Sequence, residues 1–208
     1  AEDTHFVERR EPRRRLDEWW ASRSNLAVVS GLEGRGKSWV ALEWALGLAM
    51  SSETMVLALS ARDVADEDPE LVVAKAMGAA TGRHAGDLGR RIRRWASGGC
   101  DVLLVIDGLN EHWTLDWQEF LARFQVEPWR DSIRVLATAR QQFWYSAFKP
   151  VPDEFEAVEI KVGDYDKLEF EDWLAAAASK VRRQDLSQSL TALMKVPRMA
   201  ALALKVAT

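Results

Sequence analysis

The residues best able to do chemistry lie in one stretch, Gly31-Leu32-Glu33-Gly34-Arg35-Gly36-Lys37-Ser38, which follows the pattern Gly-x-x-x-x-Gly-Lys-Ser. Gly31, Gly34 and Gly36 leave room for backbone N–H groups to curl around an anion. Lys37, in the first turn of a following helix, can carry a full positive charge to a β- or γ-phosphate, and the helix N-terminus adds partial positive charge. Ser38 offers a hydroxyl to Mg²⁺. Trp39 lies close enough to the loop to report on an occupant. The chemistry these types and spacings suit is binding of a nucleoside triphosphate. The plainer alternative, a Gly-rich turn capping an ordinary strand–helix joint, fits less well, because a continuous apolar run precedes the loop and a long apolar segment follows it.

A second chemical position is Asp107, directly after Val102-Leu103-Leu104-Val105-Ile106, the strongest strand signal in the chain. A carboxylate at the C-terminal tip of a central parallel strand, on the same sheet edge as the phosphate loop, is where Mg²⁺ is coordinated in P-loop enzymes. This is a Walker B pattern.

The elements that must position these groups can be read from periodicity. Leu26 to Val29 reads as a buried parallel strand. Trp39 to Met50 is apolar almost all round and predicts a helix buried against a sheet. Met55 to Leu59 predicts a second strand, and a helix starts at Pro69 and carries Leu71 to Met77 up to Gly78. A further helix is predicted with Leu88, Ile92 and Trp95 on one face and Arg90, Arg91, Arg93 and Arg94 on the other; the arginines read as solvated surface. Trp117, Phe120, Leu121 and Phe124 form a helical stripe, Ser132 to Thr138 a strand leading to Arg140, and Val158, Ile160 and Val162 a fifth strand. Asp166 and Glu169 form a capping box ahead of another helix, and helices follow at Leu186 to Met194 and from Pro197 onward. Before the loop, Leu16, Trp19 and Trp20 give a lead-in helix an apolar face, while Arg9, Arg10, Arg13, Arg14 and Arg15, diluted by neighbouring acids, read as solvated. The expected fold is α/β: a P-loop NTPase three-layer sandwich on a mainly parallel five-stranded sheet over 1–163, then the start of a helical lid over 164–208.

Composition narrows the function classes. At 48% hydrophobic residues the chain is a packed globular protein. A net charge of −4 argues against wholesale, sequence-blind binding to nucleic acid while leaving room for local basic patches; with the arginine faces read as solvated surface, nucleic acid is not an expected partner. The single Cys100 and the scattered His5, His84 and His112 suit a reducing compartment and no zinc site. There is no run of 18 apolar residues, and no membrane role is expected. A cytoplasmic protein is the expectation. The start at Ala1 and the stop at Thr208, inside an apolar helix-like stretch, read as a domain of a longer polypeptide.

Taken in order, Gly31 to Ser38, Val102 to Ile106 with Asp107-Gly108-Leu109-Asn110-Glu111, Val135-Leu136-Ala137-Thr138-Ala139-Arg140 and Val196-Pro197-Arg198-Met199-Ala200 resemble the STAND-class P-loop ATPases. These are the NACHT and NB-ARC signalling NTPases, relatives of the AAA+ ATPases. The opening Phe6-Val7-Glu8-Arg9-Arg10-Glu11 resembles the segment with which such domains begin, lying against the adenine. The resemblance spans nearly the whole chain. It implies ATP or ADP held at the phosphate loop, Mg²⁺ held by Ser38 and through water by Asp107, Glu111 orienting the attacking water, Arg140 sensing the γ-phosphate, and Val7 and Pro197 near the adenine. It also implies self-association through this domain. Three departures stand out: Glu8 and Lys195 replace glycines usual in the class, and Asn110 replaces the acid common before Glu111.

The resulting reading is an ATP-binding, slowly hydrolysing nucleotide switch of a larger signalling or defence protein. The main rival is an AAA+-type ATPase acting on nucleic acid, initiator- or loader-like, with the four arginines as its argument. A third reading is an assembly module that holds nucleotide without turnover, argued from Asn110. A small-molecule kinase fits least, since no second basic lid follows Gly163.

Overall fold

The computed structural model describes residues 7–65, 68–82, 84, 88, 92, 101–148, 155–178 and 181–206. The four arginines at 90, 91, 93 and 94 lie outside them. Five parallel strands, β1 (Leu26–Gly31), β2 (Met55–Ser60), β3 (Val102–Asp107), β4 (Ile133–Arg140) and β5 (Val158–Lys161), form one sheet in the order β2-β3-β4-β1-β5. The interior strands β1, β3 and β4 are buried nearly throughout, as their unbroken apolar runs require.

Alternation along each strand divides the core between the two faces. Leu26 and Val28 of β1, with Leu104 and Ile106 of β3, pack under α3 (Pro69–Thr81), α4 (Trp117–Ala122) and α5 (Gln141–Ala147). Ala27 and Val29, with Leu103 and Val105, pack under α1 (Arg10–Ala21) and α2 (Lys37–Ser51). Three layers result. Leu88 and Ile92 are buried in the first of these clusters, as their spacing predicts.

Beyond β5 come α6 (Lys167–Ala176), α7 (Gln188–Met194) and α8 (Pro197–Val206). The predicted capping box is present: the Asp166 side chain accepts from Glu169 N–H while the Glu169 side chain accepts from Asp166 N–H. These helices have their own core of Phe170, Trp173, Leu174, Met194 and Leu204, joined by Val7 from the other end of the chain.

Two local expectations change. The helix from Pro69 runs past Gly78 to Thr81 and stops at Gly82, whose φ of 69° supplies the left-handed cap. In α2 only Val40, Ala41, Trp44 and Ala45 are buried, whereas Trp39, Leu42, Leu46 and Met50 are exposed. The sheet covers one side of this helix alone, so an apolar circumference does not make it fully buried. No helix among the described residues is long and apolar enough to cross a membrane.

Register brings the chemical residues to one edge. Gly31 pairs with Arg140 and Ile106 with Ala137, so the ends of β1, β3 and β4 lie level beneath the loop that leads into α2.

Candidate functional site

The loop between β1 and α2 has the backbone that its glycines permit. Gly34 and Gly36 adopt φ of 77° and 85°, the left-handed region that other residues enter only with strain. At Gly31 the reason is space, since a Cβ there would lie 2.3 Å from the Val162 carbonyl oxygen. Lys37 opens α2, and its ammonium donates to the Leu32 carbonyl at 2.9 Å. Burial pushes the Lys37 pKa down, and the nearby Arg140 charge pushes it further, against the opposing pull of Asp107 and Glu33. The sequence-predicted Lys37, Arg140, Asp107 and Glu33 therefore share one electrostatic neighbourhood. The side chain of Leu32 is exposed, and Arg35 turns away to pair with Asp164 at the start of the helical part.

Asp107 does not stand alone. Thr138 donates its hydroxyl to Asp107 Oδ1 at 2.6 Å and accepts from the Gly108 N–H at 2.8 Å, fixing both the carboxylate and the turn after β3. With one carboxylate oxygen so oriented, Asp107 and the Ser38 hydroxyl at the start of α2 would offer a small, hard oxygen donor set. Such a set fits Mg²⁺, which keeps several of its waters and takes few protein ligands.

Past Asp107 the chain turns through Gly108, at φ 80°, into a single 3-10 turn, Leu109–Glu111. The Asn110 side chain accepts from the Arg140 N–H at 2.9 Å, tying the turn to the end of β4. Glu111 folds back over Gly108, where a Cβ would meet its carboxyl carbon at 3.0 Å, and pairs with Arg62 at 2.8 Å. Arg140 and Arg198 both pair with Glu33, at 3.3 and 2.8 Å.

Arg9 departs most from expectation. Rather than lying on a solvated face, it is buried and bonds to four partners: Glu169 at 3.1 Å, the Arg35 carbonyl of the phosphate loop at 2.9 Å, and the Gly163 and Asp164 carbonyls at 3.0 Å each. It also stacks on Tyr165, 5.1 Å from the ring centroid. Lead-in, loop and helical part meet at this one guanidinium.

Beside the loop opens a cavity of about 240 Å³ lined by Val7, Trp39, Tyr165, Trp173, Pro197 and Arg198. Its walls are mainly apolar and aromatic, which suits a flat heterocycle. Val7 and Pro197, which the resemblance places near the adenine, and Trp39, expected beside the loop, line this one cavity. Tyr165, Arg198, Arg9 and Thr138 are missed by sequence reasoning. Two of them leave a faint signal: Thr138 lies on the same side of β4 as Arg140, and Arg198 follows Pro197 directly.

No protein-family model matches the chain, and no curated protein matches it. Solved structures do. A Walker-type ATPase of Pyrococcus abyssi superposes with a TM-score of 0.66 at 14% identity, over 97% of this chain and 67% of the other. The Aeropyrum pernix Orc1 protein in complex with DNA gives 0.62 at 19% identity, over 98% and 61%. Drosophila ORC bound to DNA gives 0.57 at 11% identity, over 99% and 55%. The chain thus spans about two thirds or less of these proteins, and it has the P-loop NTPase α/β fold.

These likenesses correct one expectation. Nucleic acid was set aside as a partner on net charge, yet the fold is shared with two proteins whose structures hold DNA. The net charge of −4 describes the whole chain, and reading the arginine faces as solvated surface did not remove them as places where phosphates could be met.

Proposed function

We propose that this chain is a Mg·ATP-binding module of AAA+ type, a slowly hydrolysing switch that works with nucleic acid within a larger ATPase. The observation that carries the proposal is the convergence at one sheet edge of the left-handed Gly34 and Gly36, the Lys37 ammonium, the Thr138-oriented Asp107, and an aromatic cavity for the base. In this reading the loop N–H groups and Lys37 hold the β- and γ-phosphates, with Val7, Trp39, Tyr165 and Pro197 around the base. Ser38 and Asp107 would hold Mg²⁺, which when bound neutralises charge between the phosphates. Glu111, steadied by Arg62, accepts a hydrogen bond from the attacking water, and Asn110 serves as a tether to β4 rather than a base. Lid position then follows nucleotide state through residues 164–208.

Lys37→Ala tests the nucleotide reading, with loss of affinity for a fluorescent ATP analogue of about 10²-fold or more expected from the charge-assisted bonds removed. Undiminished affinity would end it. The likeness to the Orc1 and ORC structures supports the nucleic-acid role. Binding of duplex DNA that weakens steeply with salt is the expected outcome.

A second reading, the STAND-type signalling switch, is favoured by the Asp107-Gly108-Leu109-Asn110-Glu111 string and by Pro197 in the base cavity. Absence of salt-sensitive DNA binding, with ATP binding intact, would put it first.

A further inference from the structure

Two arginines from opposite sides of the phosphate loop end on one carboxylate. Arg140 closes β4 and Arg198 lies in the first turn of α8, yet Glu33, inside the loop, receives both, one on each oxygen. Each cation is anchored by its own backbone: the Arg140 N–H donates to Asn110 at 2.9 Å, and the Arg198 N–H donates to the Gly34 carbonyl at 3.0 Å. The side chains of all three residues are more than half exposed, so the guanidiniums stay near the loop while remaining free to exchange partners. The Arg140 charge is felt at Lys37, which puts it on the side where the loop would receive a terminal phosphate.

We propose that Glu33 sets the preference of the site between nucleoside triphosphate and diphosphate, by competing with the terminal phosphate for Arg140 and Arg198. The inference rests on the nucleotide-binding reading above. A diphosphate leaves both arginines on Glu33. A triphosphate brings a second anion to the same two cations, and arginine–phosphate bonds, charge-assisted and often bidentate, outcompete exposed carboxylate pairs. The exchange still has a cost, because Glu33 loses both of its partners. Glu33 therefore lowers affinity for triphosphate while hardly touching diphosphate, and it links the γ-phosphate to α8 through Arg198.

The test is calorimetric titration of Mg·ADP and of the non-hydrolysable Mg·AMP-PNP into wild type and Glu33→Gln, and into an Arg140→Ala/Arg198→Ala pair with and without Glu33→Gln. In Glu33→Gln the ratio of the ADP Kd to the AMP-PNP Kd should rise about three- to tenfold, as loss of two exposed pairs implies. In the background lacking both arginines, Glu33→Gln should leave the ratio close to that background's own. An unchanged ratio, an equal change for both nucleotides, or the same rise without the arginines would overturn the inference. Wild type binding neither nucleotide would instead overturn the reading beneath it. Because Glu33 is exposed, Glu33→Gln should unfold at the wild-type temperature, and the Kd ratio of Glu33→Asp, which keeps the charge, should fall between those of wild type and Glu33→Gln.

Discussion

Two sets of ion pairs join the phosphate loop to the helices that follow the sheet, and they differ in almost every physical respect. Arg9 and Glu169 are 5% and 3% exposed and are held by further bonds to three carbonyls and two backbone N–H groups. Glu33, Arg140 and Arg198 are 53–59% exposed, and their ion pairs among the described residues are with one another. A buried pair that is fully hydrogen-bonded resists rearrangement, because moving either member would strand a charge in a medium that solvates it poorly. An exposed trio exchanges partners cheaply, since water receives whatever is released. The Arg9 joint is thus built as a fixed hinge and the Glu33 trio as a clasp, which in the proposed reading serve the base side and the γ-phosphate side.

The contrast breaks first at Arg9. Arg9→Met keeps much of the volume but strands the Glu169 carboxylate and leaves the Arg35, Gly163 and Asp164 carbonyls short of a donor. The expected loss of stability is about 3–5 kcal/mol, read from urea unfolding. A loss below about 1 kcal/mol would mean that the hinge is held by the apolar core around Val7 and Trp173 instead.

On the exposed side the effect should appear in rate rather than stability. Glu111, whose side chain is 41% exposed, pairs with the still more exposed Arg62. Glu111→Gln keeps the size but weakens the acceptor, so kcat for phosphate release should fall by roughly 10²-fold with ATP affinity nearly unchanged. Turnover equal to wild type would make Glu111 a structural acid that fills the turn over Gly108.

The same division explains what could be read in the sequence. Strands were legible because β1, β3 and β4 are buried on both faces and so are written as unbroken apolar runs. The phosphate loop was legible because three glycines, a lysine and a serine at fixed spacing have few other uses. Arg9 was not, because its neighbours Arg10, Arg13, Arg14 and Arg15 alternate with acids as a solvated helix does, and its buried partner lies 160 residues away. Glu169 shows the limit from the other end. Its capping-box spacing to Asp166 was plain, but that spacing says nothing about what else the carboxylate holds. Thr138 and Glu33 sit within recognised motifs at positions where any residue satisfies the pattern, so only geometry shows what their side chains touch.

The smallest expected effect is the sharpest check on the comparison, because it concerns the adjacent residue and the same two helices. Arg10 pairs with Asp172 of α6 at 2.6 Å, a shorter contact than that of Arg9 with Glu169, yet both of its side chains are 51% exposed. Were distance the controlling variable, this pair would be the stronger. Solvent decides otherwise: each charge is well hydrated without its partner, and ordering two long side chains offsets most of the Coulomb gain. In a double-mutant cycle of Arg10→Ala and Asp172→Ala the coupling should be about 0.2–1 kcal/mol, and it should shrink in 1 M salt, where the Debye length falls to about 3 Å. The Arg9→Met loss should change little under the same salt, since screening ions do not reach a buried pair. If the Arg10 coupling exceeded about 2 kcal/mol or ignored salt, burial would not be what separates hinge from clasp, and Glu33 with its two arginines would be held too firmly to exchange.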